Sequence, residues 1–490
     1  MLTRRATHAT WWSGAEIATR YGLQLVVTVV LARLLQPEDF GLMAMVMVFT
    51  SFSVLLIESG LGSALVQRQT TSPDEESSVF VVNLGLGCML TVLLWLCAPA
   101  IAHFYRQPAL LSLVQLMVWV LPLSALATVP AAVLTQRLDF RSRMLAELFA
   151  SGCGAGLALL LAWHGQGVSS LAWQIIAAAG VRMLLLWYLS GWRPRGRFDA
   201  PALVQLLRFG GPLLLANLLN VASTRLQSLL IGRLFDARTL GFYAIAQDTQ
   251  QAPAQFLGSL LNRVGLPMFS IVANQPEKLA GALRLSLRLS VFVFTPCMMG
   301  IAVIATPLIR LLYGDNWAPA GPLLSLLALS AVFWPLHVLN LAAVSAIGKA
   351  DLVLRLEIVK TLVTIPLVMV AAFIGVTAVA GAVFISSLLC VVINTWHSQR
   401  LFGYGLRAQL RDALPTVVLA LMSTGVAALG LRSSIAASAS MPTAIFVAAF
   451  SAACTYVIGA ASSRLQAWRD LLSFVRTLWS RSPAGQGELK

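Results

Sequence analysis

In a chain of 490 residues only 11% are charged while 58% are hydrophobic, and the mean hydropathy is +0.81. Soluble domains carry about 25% charged residues, so a water-soluble fold is excluded. The net charge of +15 is spread singly or in small groups between apolar stretches; it lacks the clustered basic face of a nucleic-acid binder.

Hydrophobic stretches of about 20 residues, each able to cross about 30 Å of hydrocarbon, recur along the whole chain. The N-terminal Met-Leu-Thr-Arg-Arg leads into a stretch holding Glu16 and Arg20, with no small-residue cleavage site after a short apolar core. That reads as a retained first membrane helix, not a removed signal peptide. The first six spans are expected near 10–34, 41–66, 78–102, 110–134, 144–163 and 169–191. Four follow near 210–234, 241–268, 285–309 and 320–346, and four more near 353–375, 377–400, 412–432 and 440–461. The fold class is therefore an all-α polytopic membrane protein with about fourteen transmembrane helices.

The longest loop, Gly191 to Phe209, is basic and joins two six-helix halves; its end, Pro201 to Phe209, reads as a short helix on the membrane surface. The domains expected are 1–200, 201–402, an added helix pair at 403–462, and a cytoplasmic tail at 463–490. In that tail Leu465, Trp468, Leu472, Val475 and Trp479 recur at helical spacing, the pattern of an amphipathic interfacial helix. Residues after Ser480 are expected to be disordered. The cysteines Cys88, Cys97, Cys153, Cys297, Cys390 and Cys454 lie in apolar stretches without a CxxC pair, so they read as small buried hydrophobes, with no metal site and no disulfide framework.

Charge placement orients the chain. With the N-terminus inside, 23 of the 34 Lys and Arg fall in inside loops and tails, six in outside loops and five within spans. The positive-inside rule then places both termini in the cytoplasm.

A repeat divides the chain. Arg33-Leu-Leu-Gln-Pro-Glu-Asp-Phe-Gly41 and Arg233-Leu-Phe-Asp-Ala-Arg-Thr-Leu-Gly241 match in register at Arg, Leu and Gly, as do Ala44 and Ala244. Six spans separate the copies, so both face the same side, which describes a parallel repeat. Two such halves suit a transporter with a cavity between them. Gly14, Gly22, Pro253, Pro267, Pro296, Pro335 and Pro366 inside spans suit helices that bend.

These residues resemble a known family. Leu31-Ala-Arg-Leu-Leu-Gln-Pro-Glu-Asp-Phe-Gly-Leu42 is similar to the signature loop of Wzx-type polysaccharide flippases. Ser59-Gly-Leu-Gly-Ser-Ala-Leu-Val-Gln67 is similar to the end of that family's second helix, and Leu207-Arg-Phe-Gly-Gly-Pro-Leu-Leu-Leu-Ala216 to the opening of its second half. The resembled branch is the lipopolysaccharide and exopolysaccharide (colanic-acid-like) exporters of the multidrug/oligosaccharidyl-lipid/polysaccharide exporter superfamily. The resemblance implies a V-shaped pair of six-helix bundles, with the last two helices at the side. It implies a bacterial inner-membrane protein that is not an enzyme. Such a protein flips an undecaprenyl-diphosphate-linked oligosaccharide by alternating access, for O-antigen or exopolysaccharide synthesis. Membrane lipids, the polysaccharide polymerase and other assembly proteins are the implied partners. It needs no cofactor beyond coupling to a proton or sodium gradient.

Charges inside spans are costly, at least ~2.5 kcal/mol each on insertion scales, and so mark candidate sites. Glu16 and Arg20 share a face of the first span at i,i+4. They read as a cavity cation held by a carboxylate, or as a packing ion pair. Arg225 lies in the corresponding seventh span, with no acidic residue within a turn. It reads as a diphosphate ligand, as does Arg263, which also suits snorkelling to the interface. Asn217 and Asn220 suit either sugar binding or helix joining. Asp248, among Gln247, Gln250 and Gln251, suits sugar contact, proton coupling or a hydrated helix end. Glu58 is a cavity carboxylate or a packing contact. Glu147 and Arg182 read as structural, and Glu357 with Lys360 as a local ion pair.

Two other functions compete. A multidrug or small-solute antiporter of the same superfamily predicts mainly acidic cavity charge, against Arg20 and Arg225. A membrane glycosyl enzyme needs a sizeable periplasmic loop, and this chain has none.

Overall fold

The computed structural model describes residues 22–59, 62, 65, 71–273 and 275–480, and among them regular structure is helical throughout. The all-α membrane class read from composition is the class observed. The described parts of the expected spans are helical, and ten described segments, with the shorter apolar helix Gly22–Leu34, are apolar helices of the kind expected, the ten being long enough to cross a membrane.

The chain divides into two compact units, Met1–Ile245 with Ala350–Val379, and Ala246–Lys349 with Ala380–Lys490. The first unit holds α1 (Gly22–Leu34), α2 (Pro37–Ser59), α3 (Pro73–Tyr105), α4 (Leu110–Met117), α5 (Val120–Gln136), α6 (Phe140–Trp163), α7 (Val168–Ser190) and α8 (Ala200–Leu234). It also takes the start of α9 (Ala237–Ile271). After α10 (Pro276–Tyr313), α11 (Ala320–Ala331) and α12 (Trp334–Ala346), which belong to the second unit, it regains α13 (Ala350–Ala372). The rest of the second unit is most of α14 (Val376–Phe402), then α15 (Leu406–Ala436), α16 (Met441–Ser462) and α17 (Gln466–Ser480).

Local signals set the helix ends. Ser72 caps α3 by accepting from Glu75 N while Glu75 reaches back to the Ser72 N–H, a capping box with Pro73 in the first turn. At the other end Arg106 closes the helix in the left-handed conformation, φ 55°. Within the first unit α6 packs along α7 through Ala146, Ala150, Gly154, Ala158 and Ala162, all buried and four residues apart. A Cβ on Gly154 would lie 2.6 Å from the carbonyl of Gln174. Small residues let membrane helices approach this closely where lipid gives no hydrophobic drive.

Two expected spans are each two helices. The segment at 110–134 breaks between α4 and α5 at Val118–Trp119, and that at 320–346 breaks between α11 and α12 at Val332–Phe333. Pro122 and Pro335 follow the breaks, where a missing N–H and a fixed φ favour a fresh helix start. These spans are the fourth and the tenth, six apart. Leu110-Leu-Ser-Leu113 and Pro122-Leu123 recur as Leu323-Leu-Ser-Leu326 and Pro335-Leu336. The repeat therefore extends beyond the hairpins, at a slightly longer spacing.

Three other expectations change. The 201–209 segment is no separate surface helix: α8 runs unbroken through Gly210-Gly211-Pro212. Cys88, Cys153 and Cys297 are exposed instead of buried, since an apolar side chain on a membrane helix is covered by lipid as readily as by protein. The start of α17 rests on protein: Leu465, Trp468 and Leu471 pack against the cluster of Phe292 and Tyr456, and Arg288 Nε stands 3.2 Å from Asp470 Oδ2, whereas Leu472 is exposed and the Val475 and Trp479 side chains lie outside those described. The tail beyond Ser480 lies outside the described residues.

The loop between α7 and α8 is strapped to the start of α3. The Trp192 indole donates to Glu76 (2.7 Å), and the backbone N–H groups of Gly196, Arg197 and Asp199 donate to Ser77, Asp74 and Ser78. A Cβ on Gly196 would overlap the Pro73 carbonyl, so the strap requires glycine there.

Candidate functional site

Three features of the first unit bring polar groups together at places where a membrane protein must account for each of them.

The first is the paired hairpins. α2 and α9 begin 200 residues apart in sequence and meet at their N-termini. A Cβ on Gly41 would overlap the carbonyl oxygen of Ala237, and a Cβ on Gly241 would overlap that of Pro37. The ion pair Arg238 Nε to Glu38 Oε1, at 3.4 Å, runs between the same turns. Each turn is fixed by an aspartate: Asp39 accepts from Gln36 N at 3.0 Å, and Asp236 from Thr239 N at 2.8 Å. The Thr239 hydrogen bonds hold the Asp236 carboxyl below the usual carboxylate range. The repeat also orders the helix ends behind the hairpins. In the first unit Phe49 stands edge-on to Tyr105, the last residue of α3 (6.2 Å). In the second, Thr249, 200 residues on, shares a 2.9 Å hydrogen bond with Tyr313, the last residue of α10.

The second feature is the polar stripe of α8. Asn217, Asn220, Thr224 and Arg225 fall on one side of the helix, and Asn220 and Thr224 are exposed. Thr224 bonds back to the Asn220 carbonyl at 3.1 Å. On another face Ser223 bonds Thr361 of α13 (2.9 Å), and the Glu357–Lys360 pair of α13 is a local ion pair, as its spacing suggested. Arg225 is half-buried and engaged with other groups of the protein, so it is not the bare cation that its sequence neighbours suggest.

The third is a cavity of about 340 Å³ in the first unit, lined by Glu58, Thr128, Thr135, Arg143, Glu147 and Arg182 over a floor of alanines. Arg182 Nη2 donates to Glu58 Oε1 at 2.8 Å, while Arg182 Nη1 stands 3.8 Å from Glu147 Oε1. The Nε of Arg182 is buried and has no acceptor. Arg143 donates to the Thr135 hydroxyl at 2.9 Å.

The structure thus joins Glu58 to two residues that sequence reasoning set aside. The missed signal was depth. Glu58, Glu147 and Arg182 come from three spans of alternating direction, yet counting inward from each span end puts them in the same half of the membrane. Asn217, Asn220 and Arg225 share α8. Asp248 is exposed and engaged, and belongs to the second unit. Glu16, Arg20 and the Arg263 side chain lie outside the described residues. Among those described, no group of three His, Cys, Asp or Glu residues is placed to hold a metal.

Against known proteins, the model of the polysaccharide biosynthesis protein family matches residues 30–322, more than half of the chain. The chain belongs to this family. It is 30% identical over 327 residues to the succinoglycan biosynthesis transport protein ExoT of Rhizobium meliloti (strain 1021). That alignment covers 67% of this chain and 66% of the relative, just under two thirds of the relative's own length. It is 27% identical to the lipopolysaccharide biosynthesis protein WzxC of Escherichia coli (strain K12), covering 78% of each. Among solved structures it resembles the lipid II flippase MurJ in an inward closed conformation, with a TM-score of 0.77 and 14% identity over 94% of this chain and 99% of that one. An inward-facing MATE transporter of the MOP superfamily follows at 0.64 and 17%, over 79% and 94%. At such identities these likenesses establish the fold alone. The relatives named here are a succinoglycan biosynthesis transport protein and a lipopolysaccharide biosynthesis protein, and this chain is a multi-pass membrane protein.

Proposed function

We infer that the chain is a flippase. It carries an undecaprenyl-diphosphate-linked oligosaccharide from the cytoplasmic to the outer leaflet of the bacterial inner membrane by alternating access. The observation that carries this reading is the α8 stripe. A membrane helix that exposes the Asn220 amide, beside Asn217, Thr224 and Arg225, must face water or a hydroxyl-rich cargo there, because hydrocarbon leaves that amide unsatisfied. Relatives in succinoglycan and lipopolysaccharide biosynthesis support a polysaccharide cargo, and the likeness to the lipid II flippase MurJ supports the flipping of a lipid-linked one. Both termini face the cytoplasm on this reading. The polymerase acts downstream, the protein itself performs no bond chemistry, and a proton or sodium gradient drives it. The MATE neighbours favour drug antiport, but a stripe of amides, a hydroxyl and an arginine suits an anionic glycolipid better than a cationic drug.

Deleting the gene is expected to abolish surface polymer and to trap its lipid-linked precursor in the cytoplasmic leaflet. Arg225→Ala is expected to stop export with membrane insertion intact. Normal surface polymer in the deletion strain sinks the flippase reading; normal polymer with Arg225→Ala alone removes only the role of that residue.

A further inference from the structure

We propose that the Glu58–Glu147–Arg182 cavity is a subsite for one uncharged sugar ring, gripped through a pair of adjacent hydroxyls. This rests on the flippase reading for the source of the sugar, while its chemistry comes from the cavity alone.

Charge selects the ligand class. Four ionisable groups face the space: Glu58 from α2, Arg143 and Glu147 from α6, and Arg182 from α7; α5 adds the hydroxyls of Thr128 and Thr135. Two carboxylates oppose an anion such as the lipid diphosphate, and two guanidinium groups oppose a cation such as a drug. An apolar ligand would strip water from all four charges without replacing its hydrogen bonds. A neutral ligand rich in hydroxyls meets none of these penalties.

Geometry selects the contact. Glu58 satisfies one edge of the Arg182 guanidinium at 2.8 Å, whereas Glu147 stands off at 3.8 Å, beyond hydrogen-bond reach. The buried Arg182 Nε still lacks an acceptor. A hydroxyl can accept from an N–H and donate to a carboxylate at once. Two neighbouring ring hydroxyls would complete Nε and bridge toward Glu147, and Thr128 and Thr135 offer further oxygens. The alanines at 127, 131 and 132 leave room for the ring. At about 340 Å³ the cavity lies at the small end of ligand pockets, which run roughly 300–1,000 Å³.

The test uses the purified full chain in detergent and a panel of methyl hexopyranosides, with binding read by ligand-detected NMR. At least one glycoside is expected to bind, and its analogue lacking one of the two adjacent hydroxyls to bind at least tenfold more weakly. Glu147→Gln is expected to weaken binding roughly 10–100-fold, the loss typical of a hydrogen bond to a charged group. Glu147 makes only a long contact to Arg182, so this variant is expected to fold; an unchanged melting temperature checks that. Arg182→Lys keeps the charge but removes Nε and is expected to bind as weakly as Glu147→Gln. Absence of binding by every glycoside overturns the proposal, as does equal binding by wild type and a folded Glu147→Gln. Methyl phosphate is the contrasting probe, and its binding in place of the glycosides also overturns it. If glycosides bind but the deletion strain exports polymer normally, the flippase reading falls and the subsite stands.

Discussion

Gly41 and Gly241 occupy equivalent places in the two hairpins, and each abuts the first residue of the other's helix. A Cβ on Gly241 would stand 3.3 Å from the Gly41 nitrogen and would overlap the Pro37 carbonyl. The repeat in sequence is thus a local pseudo-symmetry in space, with Glu38 and Arg238 paired across it. Backbone atoms cannot rotate out of the way, so Gly41→Ala and Gly241→Ala are each expected to cost about 1–3 kcal/mol, the range for overpacking. Thermal unfolding in detergent should show two similar losses. A neutral result for either variant contradicts the reciprocal contact.

Asp236 gives this hairpin a pH dependence. Its carboxyl titrates below the usual range because Thr239 hydrogen-bonds the ionised form. The unfolded chain, with its ordinary carboxyl near about 3.9, therefore binds the proton first as pH falls. The stabilisation is complete above the unfolded value and disappears as pH drops through the lowered folded value. Asp236→Asn is expected to leave the neutral-pH melting temperature little changed, since Asn also caps, and to flatten the acid limb of the stability profile. An unaltered acid limb removes this role.

Arg182 holds two carboxylates from separate helices. Arg182→Gln is expected to destabilise more than Glu147→Gln, because it leaves Glu58 and Glu147 facing the cavity with only Arg143, which is bonded to Thr135, as counter-charge. Breaking a fully buried pair costs about 3–5 kcal/mol. These side chains are 27–40% exposed, so about 1–3 kcal/mol is expected here. A double-mutant cycle between Glu58→Gln and Arg182→Gln should return a coupling above about 0.5 kcal/mol. Strict additivity shows that the pair does not form.

In the second unit Asn340 joins three helices. Its amide donates to Gln409 Oε1 at 3.0 Å, and its carbonyl accepts from Gln409 Nε2 at 2.9 Å and from Ser398 Oγ at 2.5 Å; all three residues are buried. Asn340→Leu leaves Gln409 and Ser398 without these partners. Gln409 Nε2 keeps the Tyr404 carbonyl and Ser398 Oγ keeps that of Asn394, so Gln409 Oε1 is the group left unsatisfied and the loss should be about 1–3 kcal/mol. Combining it with Gln409→Leu should cost less than the two single changes added together. Full additivity argues against one network.

The sequence alone determined the membrane class, the positions of the helices, the 200-residue repeat and the family resemblance. Each depends on the local run of apolar residues or on loop residues that hydrophobicity leaves free, and these are legible one segment at a time. Tertiary structure decided the helix breaks at Val118 and Val332, because a membrane-length apolar run reads alike whether or not it is interrupted. It also decided that the start of α17 rests on Phe292 and Tyr456, and that Arg225 is engaged within the protein. Above all it decided partners. Glu58, Glu147 and Arg182 are separated by up to 124 residues, and an ion pair between helices depends on which faces meet, a property of packing that no single helix carries in its own pattern.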